Sequence, residues 1–255
     1  MYKLFSILLV ISTYSCSLIE PGGQDIHTLN KDFGLMLFEE IKPGGRQLHM
    51  RVQTTQKQKC ENTEIKLESV FLKNNFIVRI DDLIPPDESK CIENPSYISN
   101  QVLIPDVRGT YELNFQIQDI VEHTGTLDLG NEKVSFSLSQ TDGLVIMYND
   151  MYRMPDRLVF GSIQSGEPDA QEQFDNFVEH IKQTTYEIAL APGYYSYFTI
   201  ADDAQVRYLD ADSSQMSFDF ALAYNGDTEN LLSGLRALNH EKLNVKILCS
   251  DGESF

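Results

Sequence analysis

Tyr111-Glu112-Leu113-Asn114-Phe115-Gln116-Ile117 alternates apolar and polar side chains without a break. Successive side chains on a strand point to opposite faces, so this run reads as a half-buried β-strand with Tyr111, Leu113, Phe115 and Ile117 turned to a core. The same period extends outward in both directions. Upstream it carries Leu48, Met50 and Val52, then Ile65, Leu67 and Phe71, then Phe76, Val78 and Ile80; downstream it carries Val134, Phe136 and Leu138. Lys73-Asn74-Asn75, Ile84-Pro85-Pro86-Asp87 and Leu129-Gly130-Asn131 punctuate the runs with turn chemistry. Short alternating strands at such spacing predict an antiparallel β-sandwich.

Asp106-Val-Arg-Gly109-Thr-Tyr111-Glu-Leu113 resembles the penultimate strand of immunoglobulin-like sandwiches, where a tyrosine hydroxyl caps backbone at a corner. The resemblance implies an immunoglobulin-like β-sandwich over residues 35–141, with Gly125-Thr-Leu127-Asp-Leu129 as a closing strand. Leu113 stands where antibody domains carry cysteine, and the chain has no tryptophan, which excludes an antibody-type core.

After Gln140-Thr141-Asp142-Gly143 the pattern changes. Leu144 to Tyr148 and Leu158 to Ile163 read as strands, and Pro168 to Gln183 sets Phe174, Phe177, Val178 and Ile181 on one helical face. Tyr194 to Ile200, Gln205 to Leu209 and Met216 to Tyr224 read as strands. Asn225-Gly226-Asp227 ends that run, Thr228 to Leu238 makes a second helix, and Leu243 to Cys249 closes with a strand. The order predicts a ferredoxin-like α+β domain over residues 142–255, giving an α+β protein overall.

The first residues carry an export signal. Lys3, an apolar run from Leu4 to Ile11 and small residues before Cys16 form the layout of a signal peptide, residues 1–15, whose apolar part is far shorter than the roughly 20 residues that span a bilayer. Met1 to Ser17 resembles bacterial lipoprotein precursors, in which a small residue such as Ser15 precedes a cysteine that is acylated and becomes the new N-terminus. The resemblance implies lipidation of Cys16 and membrane attachment through its acyl chains, enough for stable anchoring. Thr13 and Tyr14 depart from the usual leucine and small residue, which leaves ordinary cleavage to a soluble periplasmic or secreted protein as the alternative. Ser17-Leu18 lacks the acidic residue that marks inner-membrane retention in that family, so the expected address is the outer membrane. Residues 16–34, with Pro21-Gly22-Gly23, read as lipidated N-terminus and tether.

Export makes disulfides permissible. Of the three pairings among Cys60, Cys91 and Cys249, Cys60 with Cys91 is expected, because both sit in polar, turn-like surroundings of one domain. Cys249 ends an alternating strand, where a buried thiol is ordinary. No C-x-x-C pair or histidine spacing suggests zinc. Asp210-Ala-Asp212-Ser-Ser214, near Asp202-Asp203, has the alternating oxygens of half a calcium loop but lacks its glycine and bidentate glutamate, so no metal or other cofactor is expected.

The formal net charge of -18 repels a phosphate backbone, so nucleic acid is excluded as a partner. The five histidines form no H-E-x-x-H, Gly161-Ser162 and Ser165-Gly166 fail the G-x-S-x-G elbow, and Lys42-Pro43-Gly44-Gly45-Arg46 lacks the ending of a phosphate loop. No catalytic residue is assigned. Pro192-Gly193-Tyr194-Tyr195-Ser196-Tyr197-Phe198 is the most suggestive run: on a strand, Tyr195 and Tyr197 share a face that Tyr208 extends, a surface for a protein or glycan ligand. The alternative is that these rings bury an interface with the sandwich. The sequence therefore predicts a non-enzymatic envelope lipoprotein with a binding or structural role. The alternatives are a secreted hydrolase using acidic residues and an adhesin or surface assembly subunit.

Overall fold

A computed structural model describes residues 33–209 and 216–255. The expected signal peptide, Cys16 and nearly all of the tether lie outside the described residues, as do Asp210 and Asp212. The protein is mostly β, with nineteen strands and two α-helices among the described residues. None of the described helices is long and apolar enough to cross a membrane.

Twelve strands build the first unit: β1 (Phe33–Lys42), β2 (Gly45–Thr54), β3 (Gln58–Cys60), β4 (Glu64–Leu72), β5 (Asn75–Ile84), β6 (Glu93–Ser96), β7 (Ser99–Ile104), β8 (Gly109–Ile117), β9 (Val121–Leu129), β10 (Lys133–Leu138), β11 (Leu144–Tyr148) and β12 (Asp150–Tyr152). One sheet has the order β11-β1-β2-β7 and the other β12-β10-β9-β8-β5-β4. The inward residues of every alternating run meet in one core: Leu48, Met50 and Val52 from the first sheet, Phe76, Val78, Ile80, Leu113 and Phe115 from the second. Side-chain alternation with a period of two is what lets each strand bury one face and solvate the other. Two pairs are parallel, β1 with β11 and β5 with β8. A parallel neighbour needs a long crossover, and the one between β5 and β8 carries β6, which pairs with β3 in a small two-stranded lobe, and β7, which joins the other sheet beside β2. Tyr111 donates its hydroxyl to the Val107 carbonyl at 2.9 Å, fixing the turn into β8.

The first unit continues past the expected boundary. Thr141-Asp142-Gly143 is a turn closed by Leu144 N–H to the Thr141 carbonyl, and β11 and β12 then complete the two sheets against β1 and β10. The turn chemistry there is real, but it punctuates a sheet. Residues 153–157 make the passage to the second unit.

That unit consists of β13 (Leu158–Ser165), α1 (Gln171–Thr184), β14 (Thr185–Tyr186), β15 (Gly193–Tyr194), β16 (Phe198–Ile200), β17 (Val206–Tyr208), β18 (Met216–Tyr224), α2 (Thr228–Arg236) and β19 (Asn244–Cys249). Its main sheet runs β14-β18-β13-β19, antiparallel throughout. Both helices cover one face: Phe177 and Ile181 of α1 and Leu231, Leu232 and Leu235 of α2 pack on Val159, Ile163, Phe220 and Ile247. Pro168 opens a 3-10 turn before α1, and the Asp227 carboxylate caps α2 by accepting from Glu229 N–H. The small β15-β16-β17 sheet packs on the opposite face, where Tyr195, Phe198 and Ile200 meet Leu158, Phe160 and Ala221.

Tyr194 to Ile200 departs from the single strand expected. β15 ends at Tyr194, Ser196 takes a left-handed conformation with φ of 67°, and β16 returns antiparallel with Thr199 opposite Tyr194. The residue types favour extended structure, yet the chain reverses on a serine.

Candidate functional site

The reversal at Ser196 has a structural use. The β1–β11 pairing ends at Met36 opposite Tyr148, so the edge of β1 beyond that point loses its neighbour. On a strand edge, alternate residues turn both backbone groups to the same side. The hydroxyls of the β15–β16 hairpin meet three such residues in turn. Tyr194 donates to the Leu37 carbonyl at 3.0 Å, Ser196 accepts from Glu39 N–H at 2.8 Å, and Tyr197 accepts from Ile41 N–H at 3.1 Å. Ser196 donates its own hydroxyl hydrogen bond to Met151 Sδ, and the Tyr194 ring stacks on Tyr148 with centroids 4.0 Å apart. Outside this edge, Phe38 lies under Tyr197 and under the Arg51 guanidinium, 3.5 Å from the ring centroid, so β1 is covered on both faces.

These contacts relocate the aromatic residues proposed from sequence. Tyr195 is 3% exposed, stacked between Tyr152 and Phe198, with its hydroxyl donated to the Ala191 carbonyl. Tyr197 is half-buried on β1, and Tyr208 is half-buried in β17, its N–H donated to Asp219 Oδ2 at 3.0 Å. They form no exposed row. Burial pushes the hydroxyls of Tyr194, Tyr195 and Tyr197 above the usual phenol range, which keeps them neutral hydrogen-bonding groups.

Beside this seam lies a polar cleft of about 640 Å³. At its floor Glu39, 4% exposed, accepts from Met154 N–H at 2.9 Å through Oε2, and its Oε1 is 3.5 Å from Arg153 Nη1. Arg153 also reaches Asp106 at 2.8 Å and the Gly130 carbonyl at 3.0 Å, and Arg108 binds the same two groups. Arg46 ties the start of β2 to the Met154 and Pro155 carbonyls, to Asp156 and to the Ser250 carbonyl. Gly252, at φ of 95°, approaches the Lys42 backbone so closely that a Cβ would lie 2.1 Å from it. A buried carboxylate held by a guanidinium and a backbone amide is a fixed structural pair, costly to break from either side. Nothing in the periodicity of Phe38-Glu39-Glu40 or Tyr152-Arg153-Met154 distinguishes these residues from solvated charges.

Cys60 and Cys91 are joined in a disulfide with Cα atoms 5.2 Å apart, bracing the β3-β6 lobe. Cys249 is fully buried beneath the helices, and that burial pushes its thiol up to about 12. Among the described residues no group of three histidine, cysteine or acidic side chains is placed to hold a metal ion.

A second recess, about 750 Å³ and more apolar than the first, lies along β18. Its origin is the brevity of β14, which pairs only Thr185 with Tyr224 and Tyr186 with Ala223 before the chain swings away. From Ser217 to Leu222, no described strand pairs with the outer edge of β18. Lys182, Thr185 and Tyr186 line the recess from the side of α1 and β14, and Ile200, Ala204 and Val206 from the side of the small sheet, with which Ile188 and Leu190 also pack. Lys182 Nζ lies 5.2 Å from the Phe218 ring, while Glu187 and Asp219 supply the acidic part of the lining. Alternating Phe218, Phe220, Leu222 and Tyr224 marked β18 as a strand; which neighbour would leave it was not written in any local pattern.

No protein-family model, curated protein or solved structure matches this chain.

Proposed function

We propose that this is a non-enzymatic envelope lipoprotein with a binding role, tethered at the outer membrane through acyl chains on Cys16. In this reading an immunoglobulin-like sandwich carries a ferredoxin-like unit. The first assignment is supported by the Tyr111 hydroxyl at the entry to β8, the second by the antiparallel order β14-β18-β13-β19 with both helices on one face. Anchoring is supported by the leader pattern of Met1 to Ser17 alone.

The observation that carries a binding role is a contrast between the two recesses. In the polar cleft the side chains of Glu39, Arg46, Arg108 and Arg153 are bound to other protein atoms, so they brace the seam. The recess on β18 offers apolar walls beside backbone groups that no described strand engages. Such a surface suits a ligand taken by burial and main-chain hydrogen bonding. A protein segment or a glycan fits this class, and the charge of -18 disfavours nucleic acid. Fractionating cells that express the Cys16→Ser variant tests the anchor: the protein should move from the membrane pellet to the soluble fraction, and unchanged sedimentation rejects lipidation.

A second reading, a surface assembly subunit, is favoured by β4. It is the edge strand of the six-stranded sheet, and Val70 and Leu72 on it are 49% and 57% exposed. Sedimentation velocity over a concentration series should then show self-association that Leu72→Lys abolishes; a monomer at all concentrations removes this reading.

A further inference from the structure

We propose that the recess beside β18 takes an extended polypeptide segment of neutral or basic character, which adds as a strand along Ser217–Leu222. The inference deepens the binding role proposed above and rests on it. Four features specify the occupant. The first is the floor: β18 is held by β13 along its whole length on one side, Ser165 opposite Met216 through Leu158 opposite Ala223, while its other side is engaged by β14 only at Ala223 and Tyr224. A strand edge offers donors and acceptors in a repeat that only another extended backbone satisfies. The second is length. The open run from Ser217 to Leu222 covers about 20 Å at the rise of a strand, the span of an ordinary β-strand of five or six residues.

The third feature is depth. The open edge is recessed between the end of α1, with Lys182, and the small sheet, with Ile200 and Val206. A single strand enters such a slot. The β18 edge of a second copy is recessed in the same way, so two copies cannot bring those edges together. The fourth is charge: Glu187 and Asp219 outnumber Lys182 in the lining, and the chain as a whole carries -18. An acidic partner, a second copy included, is repelled, and a neutral or basic segment is drawn in. The walls add selectivity. Ile188, Leu190, Ile200 and Val206 favour apolar side chains at every second position of the added strand, as the pleat requires.

The test pans a random nonapeptide display library on the purified full chain, and measures enriched peptides by fluorescence anisotropy and amide hydrogen exchange. The expected peptides alternate apolar residues, carry lysine or arginine, and bind one per chain. They should slow exchange at least tenfold within Ser217–Leu222. A twin with every second amide N-methylated should bind at least tenfold more weakly, because it keeps the side chains and loses the ladder. Ala189→Trp, an exposed position on the rim, should weaken binding similarly. Peptides that protect other amides, or an N-methylated twin that binds equally well, would overturn strand addition while leaving a binding role intact. Failure to enrich any peptide also overturns it; retention of the protein on a glycan array would then keep the broader reading, and no retention there would end both.

Discussion

Among the described strands, β1 and β18 each lose a neighbour part-way along, and the protein treats the two differently. Beyond Tyr148 the edge of β1 is met by three hydroxyls, from Tyr194, Ser196 and Tyr197, at the spacing of a strand that is not there. Beyond Tyr186 the edge of β18 pairs with no described strand, although β17 reaches the Asp219 side chain through Tyr208 N–H, and it lies at the bottom of a slot. A buried backbone group without a partner costs about 1–3 kcal/mol, so an enclosed edge must be satisfied from within. Side chains that cap an edge close it permanently and weld the two units at that place. An edge left in a recess keeps its hydrogen-bonding capacity for something else.

The largest effect expected from breaking the closed edge is Tyr194→Ala, which removes a 3%-exposed ring, its stacking on Tyr148 and its bond to Leu37. Urea denaturation should show a loss of about 3–5 kcal/mol; a loss under about 1 kcal/mol would mean that the hairpin merely rests on β1. Replacing Cys60 and Cys91 by alanine should cost about 2–4 kcal/mol. Because the seam joins the units, exchange at α2 should rise together with exchange in the sandwich, and separate transitions would break the idea of a weld. Ser196→Ala leaves Glu39 N–H without its acceptor inside the seam and should cost about 1–3 kcal/mol by the same denaturation measurement.

The closed edge also predicts a pH dependence. A tyrosine hydroxyl is neutral when protonated, and burial raises the values of Tyr194, Tyr195 and Tyr197 in the folded chain. The unfolded chain gives up these protons from about pH 10, the folded chain later. Stability from this source is therefore complete below about pH 10 and declines as pH rises toward the raised values. The decline, followed by denaturation midpoints, should be shallower in Tyr194→Phe than in the parent. At the open edge the smallest effect is expected. Ala189→Trp should alter stability by no more than about 0.5 kcal/mol, and the outward amides of Ser217–Leu222 should exchange faster than those of Glu39 and Ile41.

How much of this was legible depends on whether an element's neighbours are local. Phe76, Val78 and Ile80, or Tyr111 to Ile117, alternate because each strand has one face on the core, and the structure buries those faces. The helix around Phe177 and Ile181 is equally plain, because its apolar stripe meets a sheet. Phe33–Lys42 shows no alternation, since its outer face is also covered at Phe38, by the Arg51 guanidinium and by Tyr197 from more than 150 positions away. The residue types of Tyr194 to Ile200 favour a strand and hide the turn at Ser196. The seam charges Glu39 and Arg153 carry no periodic signal, and the groove arises from where β14 stops. Each of these depends on which distant segments meet, and local pattern does not encode that.

β1 has a mechanical consequence. Its first residue, Phe33, lies at the opposite end of the strand from Ile41, and between them it is bonded to β2 on one side and, at first, to β11 on the other. A pull applied upstream of Phe33 would run lengthwise along this strand and load those bonds in shear, many at once. Force would then pass through Leu37, Glu39 and Ile41 into the second unit, so the same strand serves as load path and as joint.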